Sequence, residues 1–415
     1  MPEIVEIGVK DDSFNNFKSL QINSFEDDDD DEIMEDEFED DDDEEGEPME
    51  LGFVEKPNNP ISLLRQFFPS KAGGIPAWLD PIHLPPEKYR LCGFCEEPLQ
   101  FLLQIYAPRR KEKATFHRTL FVFMCPSMAC LRRDQHQQWK RKPEKQSRSV
   151  KVFRCQLPLS NPFYSSEPPS HDDTKPSCDG AALCGWCGTW KGDKVCSICR
   201  KARYCSVKHQ VLDWRSGHKL DCQQMSISFQ SSGSSPSTRG NTSTEKNKVA
   251  STTLWPEFEI TIKDECEFDT ETSDNDDSAS LVSKIKRDDG SSSVLNQFEG
   301  DADKKSWGSF QERVSKAPGQ VLRYSRSEKA RPLWPMSSGR PSNADIPKCN
   351  YCDSDMCFEF QILPQLLYYF EVQNDGDSLD WASIVVYTCS KSCEASVSYK
   401  EEFAWVQILP SVSLP

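Results

Sequence analysis

The sequence predicts a mainly β protein, a β-rich α+β chain in which two pseudo-repeated β halves form one composite body interrupted by a compact two-metal finger. Three observations predict it: eight ligand-type residues in one short window, a duplication on either side of that window, and polar stretches that confine ordered structure to islands.

The window carries Cys184, Cys187, Cys196, Cys199, Cys205, His209, His218 and Cys222. Zinc takes four tetrahedral thiolate or imidazole ligands, and a Cys-x-x-Cys turn delivers two of them while its own amides stabilise the thiolates. Cys184/Cys187 and Cys196/Cys199 supply the first half of each set. His218 and Cys222 stand one helical turn apart, as do Cys205 and His209, so each pair is expected to reach a single ion from a helix. Interleaving closes the module most simply. The expected sets are Cys184, Cys187, Cys205 and His209 for the first zinc, and Cys196, Cys199, His218 and Cys222 for the second. Tyr204-Cys205-Ser206, Gln210, Asp213-Trp214 and His218-Lys219 resemble the second half of a MYND zinc finger, in which the tryptophan packs between the zinc-bearing turns. His209 stands where most members have cysteine, and histidine ligates equally well at that spacing.

The chain opens Met1-Pro2-Glu3-Ile4, without a basic and apolar signal segment, and its 18 cysteines are expected to be reduced metal ligands and not a disulfide framework. No window approaches the roughly 18 consecutive apolar residues of a membrane span. Hydrophobic residues make up 36% of the chain and mean hydropathy is -0.66, so much of it cannot bury enough apolar surface to order. The net charge of -18 is local: residues 26–50 hold 19 carboxylates and no Lys or Arg, leaving 48 acidic against 49 basic residues elsewhere. Residues 1–50 therefore read as a disordered acidic tail, either a solubility device or a polyanion for a basic partner. Residues 224–308 read as a Ser-rich linker. Within it, 254–263 alternates Phe258, Ile260 and Ile262 with Glu257, Glu259 and Thr261, a strand-like island expected to dock on one of the folded halves. Ser273, Ser278 and Ser280, among aspartates, are either linker or phosphorylation sites.

The duplication is read in register. Cys92-Gly-Phe-Cys95 is followed 9, 12 and 13 residues after its first cysteine by Phe101, Gln104 and Ile105, and Cys349-Asn-Tyr-Cys352 is followed at the same offsets by Phe358, Gln361 and Ile362. Both copies continue with an apolar run ending in a cysteine, then a second cysteine: Leu120 to Cys125 and Cys130, Ile384 to Cys389 and Cys393. Each closes on an aromatic, β-branched run ending in Leu-Pro. Pro76-Ala-Trp78 and Pro332-Leu-Trp334 precede the two copies. The runs are short, aromatic and bounded by Pro and Gly, so strands are predicted. The halves are expected over 51–165 and 309–415, flanking a finger over 178–223. Each half also holds four cysteines laid out as a zinc site: Cys92, Cys95, Cys125 and Cys130, and Cys349, Cys352, Cys389 and Cys393. The looser second pairs leave metal and reduced buried thiols both open, so Zn2+ is expected twice in the finger and up to twice more in the halves. Cys155, Cys178, Cys266 and Cys357 stay unassigned.

The duplicated halves around a finger, with Leu51-Gly-Phe-Val-Glu55, Gln66-Phe-Phe-Pro-Ser-Lys-Ala-Gly-Gly-Ile-Pro-Ala-Trp78-Leu79 and Gln320-Val-Leu-Arg-Tyr324, resemble the programmed cell death protein 2 family. The resemblance implies a non-catalytic chaperone that escorts a newly made small-subunit ribosomal protein of the uS5 type into 40S assembly; the expected location is the cytoplasm, with nuclear shuttling open to it. The acidic run suits a basic client, and β edges or a cleft would let a client segment add as a strand. Closed four-ligand zinc sites offer no coordination position to a substrate, and no phosphate-binding glycine loop or SET core is present, so the chain is expected not to be an enzyme. The alternative is a nuclear adaptor whose finger docks proline-rich peptides of transcriptional regulators. It would use the basic stretch from Arg109 to Lys151, with 13 Lys or Arg against 3 carboxylates, which reads mostly as a solvated loop; direct nucleic-acid binding and membrane association are not expected.

Overall fold

The aromatic and β-branched runs of both copies form strands: β1 (Glu50–Glu55), β2 (Lys71–Ala72), β3 (Gln100–Tyr106), β4 (His117–Met124) and β5 (Val150–Leu157) in the first, and β9 (Leu322–Tyr324), β10 (Met356–Ile362), β11 (Ser383–Cys389) and β12 (Tyr399–Gln407) in the second. The finger adds the hairpin β6 (Lys194–Val195) and β7 (Arg203–Tyr204), and the island becomes β8 (Phe258–Asp264). This computed structural model describes residues 49–110, 112–140, 147–170, 175–176, 178–223, 254–268, 300–325, 327, 329–373 and 377–410. The acidic tail up to residue 48, linker segments 224–253 and 269–299, and Ser273, Ser278 and Ser280 lie outside the described residues.

Ten strands close into one barrel in the order β1-β8-β2-β3-β4-β5-β12-β11-β10-β9, with β9 returning to β1. Two antiparallel seams join the halves: Tyr399–Glu402 of β12 against 152–155 of β5, and Glu50–Gly52 of β1 against β9. The expected composite body is therefore a closed sheet, and the expected free edges for an added client strand do not exist in the barrel, because closure pairs them. The island docks on the first half, pairing with β1 along its whole length and with β2.

Period-2 alternation divides each strand between two faces. Leu120, Val122, Met124, Val150, Val152, Ile384, Val386, Ala404 and Val406 share the enclosed core. Phe121, Phe123 and Phe153 face outward under Trp78, whereas Val385, Tyr387 and Trp405 face outward with Trp334 and Ile346 packed on them. Each such apolar side chain removed from water contributes about 1.5–3 kcal/mol.

The basic stretch is not mainly a loop. It contains β4 and the helix α1 (Met128–Trp139), which packs on β12 where β5 has ended. There Gln138 donates from Nε2 to the Val406 carbonyl and accepts from the Val406 amide, both at 2.9 Å, standing in for a ladder rung. Gln135 accepts from the Ile408 amide at 2.5 Å. The expected boundary at 308/309 falls inside a helix, here α3 (Asp301–Ser315), whose Trp307, Phe310 and Val314 are buried against Met336 and Leu363. A short helix, α4 (Gln365–Tyr369), follows β10. Among the described residues no helix is long and apolar enough to cross a membrane.

Candidate metal centres

Four clusters of thiol and imidazole ligands are assembled, and they are the four sets that the spacing suggested. Cys184, Cys187, Cys205 and His209 gather in the finger, as do Cys196, Cys199, His218 and Cys222; the halves gather Cys92, Cys95, Cys125, Cys130 and Cys349, Cys352, Cys389, Cys393. In each set the ligand atoms lie within 4.8 Å of one another.

All four begin with the same local structure. In each Cys-x-x-Cys turn the amide four residues after the first cysteine donates to that cysteine's carbonyl: Gly188 to Cys184 at 2.8 Å, Arg200 to Cys196 at 3.0 Å, Glu96 to Cys92 at 3.0 Å and Asp353 to Cys349 at 2.9 Å. Each donor has a left-handed backbone, φ 62° at Gly188, 56° at Arg200, 59° at Glu96 and 58° at Asp353. A non-glycine residue pays about 1–3 kcal/mol for that conformation, which persists where the surroundings impose it. The half-site turns are thus built like the finger's own.

The second ligand pairs arrive from different elements. Cys205 follows β7, outside any helix. Ser206 caps the helix α2 (Val207–Asp213), its hydroxyl accepting from the His209 amide at 3.1 Å, so His209 sits in the first turn and the expected one-turn helical pairing with Cys205 is replaced by a cap. His218 ends a π-helical turn, Trp214–His218, with Gly217 outside helical geometry, and Cys222 lies in the helical residues after it. In the halves, Cys125 directly follows β4 and Cys389 ends β11. Cys130 stands in the first turn of α1, and Cys393 follows a tight turn at Ser392.

Sulfur–sulfur separations are 3.6 Å for Cys95/Cys125, 3.8 Å for Cys187/Cys205, 3.8 Å for Cys196/Cys222, 3.7 Å for Cys349/Cys393 and 3.5 Å for Cys352/Cys389. His209 Nδ1 is 3.2 Å from Cys205 Sγ, and His218 Nε2 is 3.6 Å from Cys199 Sγ. Tetrahedral ligands about 2.3 Å from zinc stand about 3.8 Å apart, whereas a disulfide needs about 2.05 Å. No disulfide links any of the 18 cysteines. Soft thiolate and imidazole sets of this shape fit Zn2+ in all four clusters.

The finger is docked on the barrel. Trp190, wholly buried, lies 4.4 Å from the Phe123 ring and donates from Nε1 to the Leu99 carbonyl at 2.7 Å. Trp78 donates to the Thr189 carbonyl at 2.9 Å, and Arg90 reaches the Lys191 carbonyl at 2.7 Å and Asp193 at 2.5 Å. Trp214, singled out in the sequence, is only half-buried, against His218 at 5.9 Å. The anchoring role falls to Trp190, whose signal was a second tryptophan just after the first knuckle, Trp186-Cys-Gly-Thr-Trp190.

The duplicated glutamines have a shared task. Gln104 accepts from the Ala77 amide at 2.8 Å, and Gln361 accepts from the Leu333 amide at 2.6 Å, each clamping the middle residue of its Pro-x-Trp segment over the sheet. Each copy also carries a bulge ten residues after its first cysteine, at Leu102 and at Glu359. Glu359 was overlooked in the sequence, although a carboxylate between Phe358 and Phe360 signals a buried partner. Arg118 of the other half grips it with two bonds, 2.5 and 2.7 Å, and Tyr324 donates to it at 3.1 Å. Burial raises the Glu359 carboxyl, but Arg118 outweighs it and holds it down at about 2. Beside it, Arg154 of β5 pairs with Glu402 of β12 at 2.5 Å and donates to the Cys393 carbonyl at 3.1 Å, while Glu402 accepts from the Cys389 amide at 2.9 Å. The second half's cluster is thus braced by the first half. Of the unassigned thiols, Cys155 is buried on β5, Cys357 donates to the Thr388 carbonyl at 3.6 Å, Cys178 sits by Arg65 and Cys266 is exposed.

A duplicated barrel carrying a docked two-zinc finger defines a zinc-finger protein built around a pseudo-symmetric β scaffold. Family models for the programmed cell death protein 2 N-terminal domain, the MYND finger and the programmed cell death protein 2 C-terminal putative domain match residues 48–171, 184–222 and 304–408. The chain is 37% identical to programmed cell death protein 2 of Bos taurus over 87% of this chain and 96% of that protein. Programmed cell death protein 2-like of Homo sapiens is 25% identical over 78% of this chain and 85% of its own length. A shorter likeness, 31% identity over 21% of the chain and 24% of the relative, is to the probable 20S rRNA accumulation protein 4 of Schizosaccharomyces pombe. No solved structure matches. The chain belongs to the programmed cell death protein 2 family.

Proposed function

We propose that this protein is a non-catalytic, zinc-stabilised escort for a newly made small-subunit ribosomal protein of the uS5 type, acting in the cytoplasm and shuttling to the nucleus. The observation that carries this reading is the concentration of 19 carboxylates in residues 26–50 beside a folded body of balanced charge, which suits a client whose RNA-binding surface is basic and unpaired until it meets rRNA. Two supports stand beside it: the family resemblance, and the likeness to a relative named for 20S rRNA accumulation.

The zinc ions would be structural. Each set fills four tetrahedral positions with protein ligands, so the residues hold the fold and leave the metal no place for a substrate. Within the basic stretch Arg118 is wholly buried against Glu359, whereas Arg110, Lys113, Arg132, Arg133 and Lys140 are exposed. A second reading, the adaptor for proline-rich peptides, draws on the exposed apolar side chains Ile198, Val207 and Leu220 of the finger.

Capture of the tagged full-length chain from cells after ribonuclease treatment tests the proposal. A single uS5-type ribosomal protein should dominate, and recovery of co-regulators or DNA in its place would favour the adaptor. With purified client, removal of residues 1–50 should lower the association rate several-fold at low salt and leave dissociation nearly unchanged, because attraction between exposed charges is screened over about 8 Å at physiological salt.

A further inference from the structure

Nine barrel strands come from the two matched halves, but β8 lies outside all three matched stretches and enters the barrel from between the finger and the second half. It also breaks the pseudo-symmetry. β9 pairs directly with β10, whereas β1 reaches β3 only through β8 and β2. Without β8, β1 would lose its partner along Glu50–Glu55, and an edge would open in an otherwise closed sheet.

The hold on this strand is concentrated at its two ends. Before it, Glu257 meets the Nζ of Lys71, a lysine only 2% exposed that also donates to the Ile75 carbonyl at 2.8 Å. After it, Glu265 takes Arg313 through two bonds of 3.0 Å and Arg323, only 1% exposed, at 2.5 Å. Between these clamps only Phe258 and Ile260 are buried, and Ile262 is already 39% exposed. The floor is shaped for a strand's backbone: a Cβ at Gly73 would lie 1.9 Å from the Pro256 carbonyl oxygen, and the Gly74 amide donates to the Trp255 carbonyl at 3.0 Å. In sequence, residues 223–253 separate the strand from the matched finger and residues 269–303 separate it from the second matched half.

We propose that the slot between β1 and β2 is a strand-exchange site, held in the resting protein by residues 254–268 and taken over by an extended segment of the escorted protein. This rests on the escort reading. The slot defines the incoming segment: two apolar residues at alternate positions flanked by carboxylates about eight residues apart, because Lys71 and Arg323 would otherwise be left buried without a counter-charge. The chain's own strand then sets the threshold that a client segment must exceed.

The test uses the zinc-loaded full-length chain and a fluorescent peptide of residues 254–268. The peptide should bind a Phe258→Ser/Ile260→Ser variant at least ten-fold more tightly than the parent, and a peptide carrying Glu257→Gln and Glu265→Gln should lose at least ten-fold of that affinity. The variant should bind the purified uS5-type ribosomal protein several-fold more tightly than the parent, and the peptide should displace it. Failure of the peptide to bind a variant with parental metal content and circular dichroism overturns the slot. Ribosomal-protein binding that the peptide does not displace overturns it as well, leaving the escort reading intact. Peptide binding without ribosomal-protein binding to either form overturns the escort reading and, with it, the occupant. Should the variant not fold, amide exchange on the unaltered chain decides: the ribosomal protein should accelerate exchange in 258–264 while 120–124 stay protected, and unchanged exchange in 258–264 overturns the proposal.

Discussion

The first and second halves of the barrel keep the same backbone devices and differ in what they place at the same bulge. Both retain the knuckle with its left-handed residue, the glutamine clamp on Pro-x-Trp, the bulge ten residues on and the four-cysteine cluster. At the bulge the first half has Leu102 in the apolar core, whereas the second has Glu359 gripped by Arg118 from across the barrel. Residues that satisfy local backbone needs recur, and residues that join the halves do not. A symmetric pair would put two carboxylates or two leucines at the bulges, and only the asymmetric choice supplies a cross-barrel ion pair.

The largest expected effect attacks that asymmetry. Arg118→Ala strands a buried carboxylate and should cost about 3–5 kcal/mol in chemical denaturation, whereas Arg118→Met with Glu359→Leu, copying the first half's leucine, should recover most of the loss. Equal damage from the single and the double change would mean that the pair is not what the bulge position demands.

Next comes metal. The account expects four zinc per chain by elemental analysis, falling to three for Cys352→Ser or Cys95→Ser. Cys196→Ser should lose one and locally unfold the finger, since ligand binding is folding energy in so small a module. Two zinc in the parent would reduce the half-site clusters to buried thiols. A smaller cost, about 1–3 kcal/mol, is expected of Gln104→Ala and of Gln361→Ala, each leaving a backbone amide without its acceptor, and the two should agree closely if the clamps are equivalent.

The smallest effect is one of pH. Burial, with Arg110 adding to it, lowers the His117 imidazole to about 4, and its Nδ1 lies 3.0 Å from the Tyr106 hydroxyl. The unfolded chain therefore takes up this proton first, near the ordinary value of about 6.5. Stability should fall as pH drops from about 6.5 toward 4, and His117→Gln should flatten that slope relative to the parent. An identical slope in both proteins would remove His117 as its source.

Much of this was legible because ligand spacing and in-register repeats are local signals. The two finger sets, the half clusters and the duplication follow from cysteine and glutamine offsets alone. What was not legible is long-range. Nothing near Arg118 announces Glu359, 241 residues away, and a solvated loop was the natural reading of a stretch in which Arg118 and the α1 glutamines in fact complete the opposite half. The island's alternation revealed a strand but not that it pairs with β1 and β2 and so closes the sheet. The fate of free edges could not be read from strands individually, since closure is a property of the whole ring.

The most direct measurement is the co-expression of residues 1–223 and 254–415 as separate chains, each with its own metal clusters, followed by light scattering on the purified material. The account predicts a one-to-one complex that melts as a unit, because the seams between β5 and β12 and between β1 and β9 leave neither piece a closed sheet. Two pieces that are separately monomeric, soluble and cooperatively folded would contradict it.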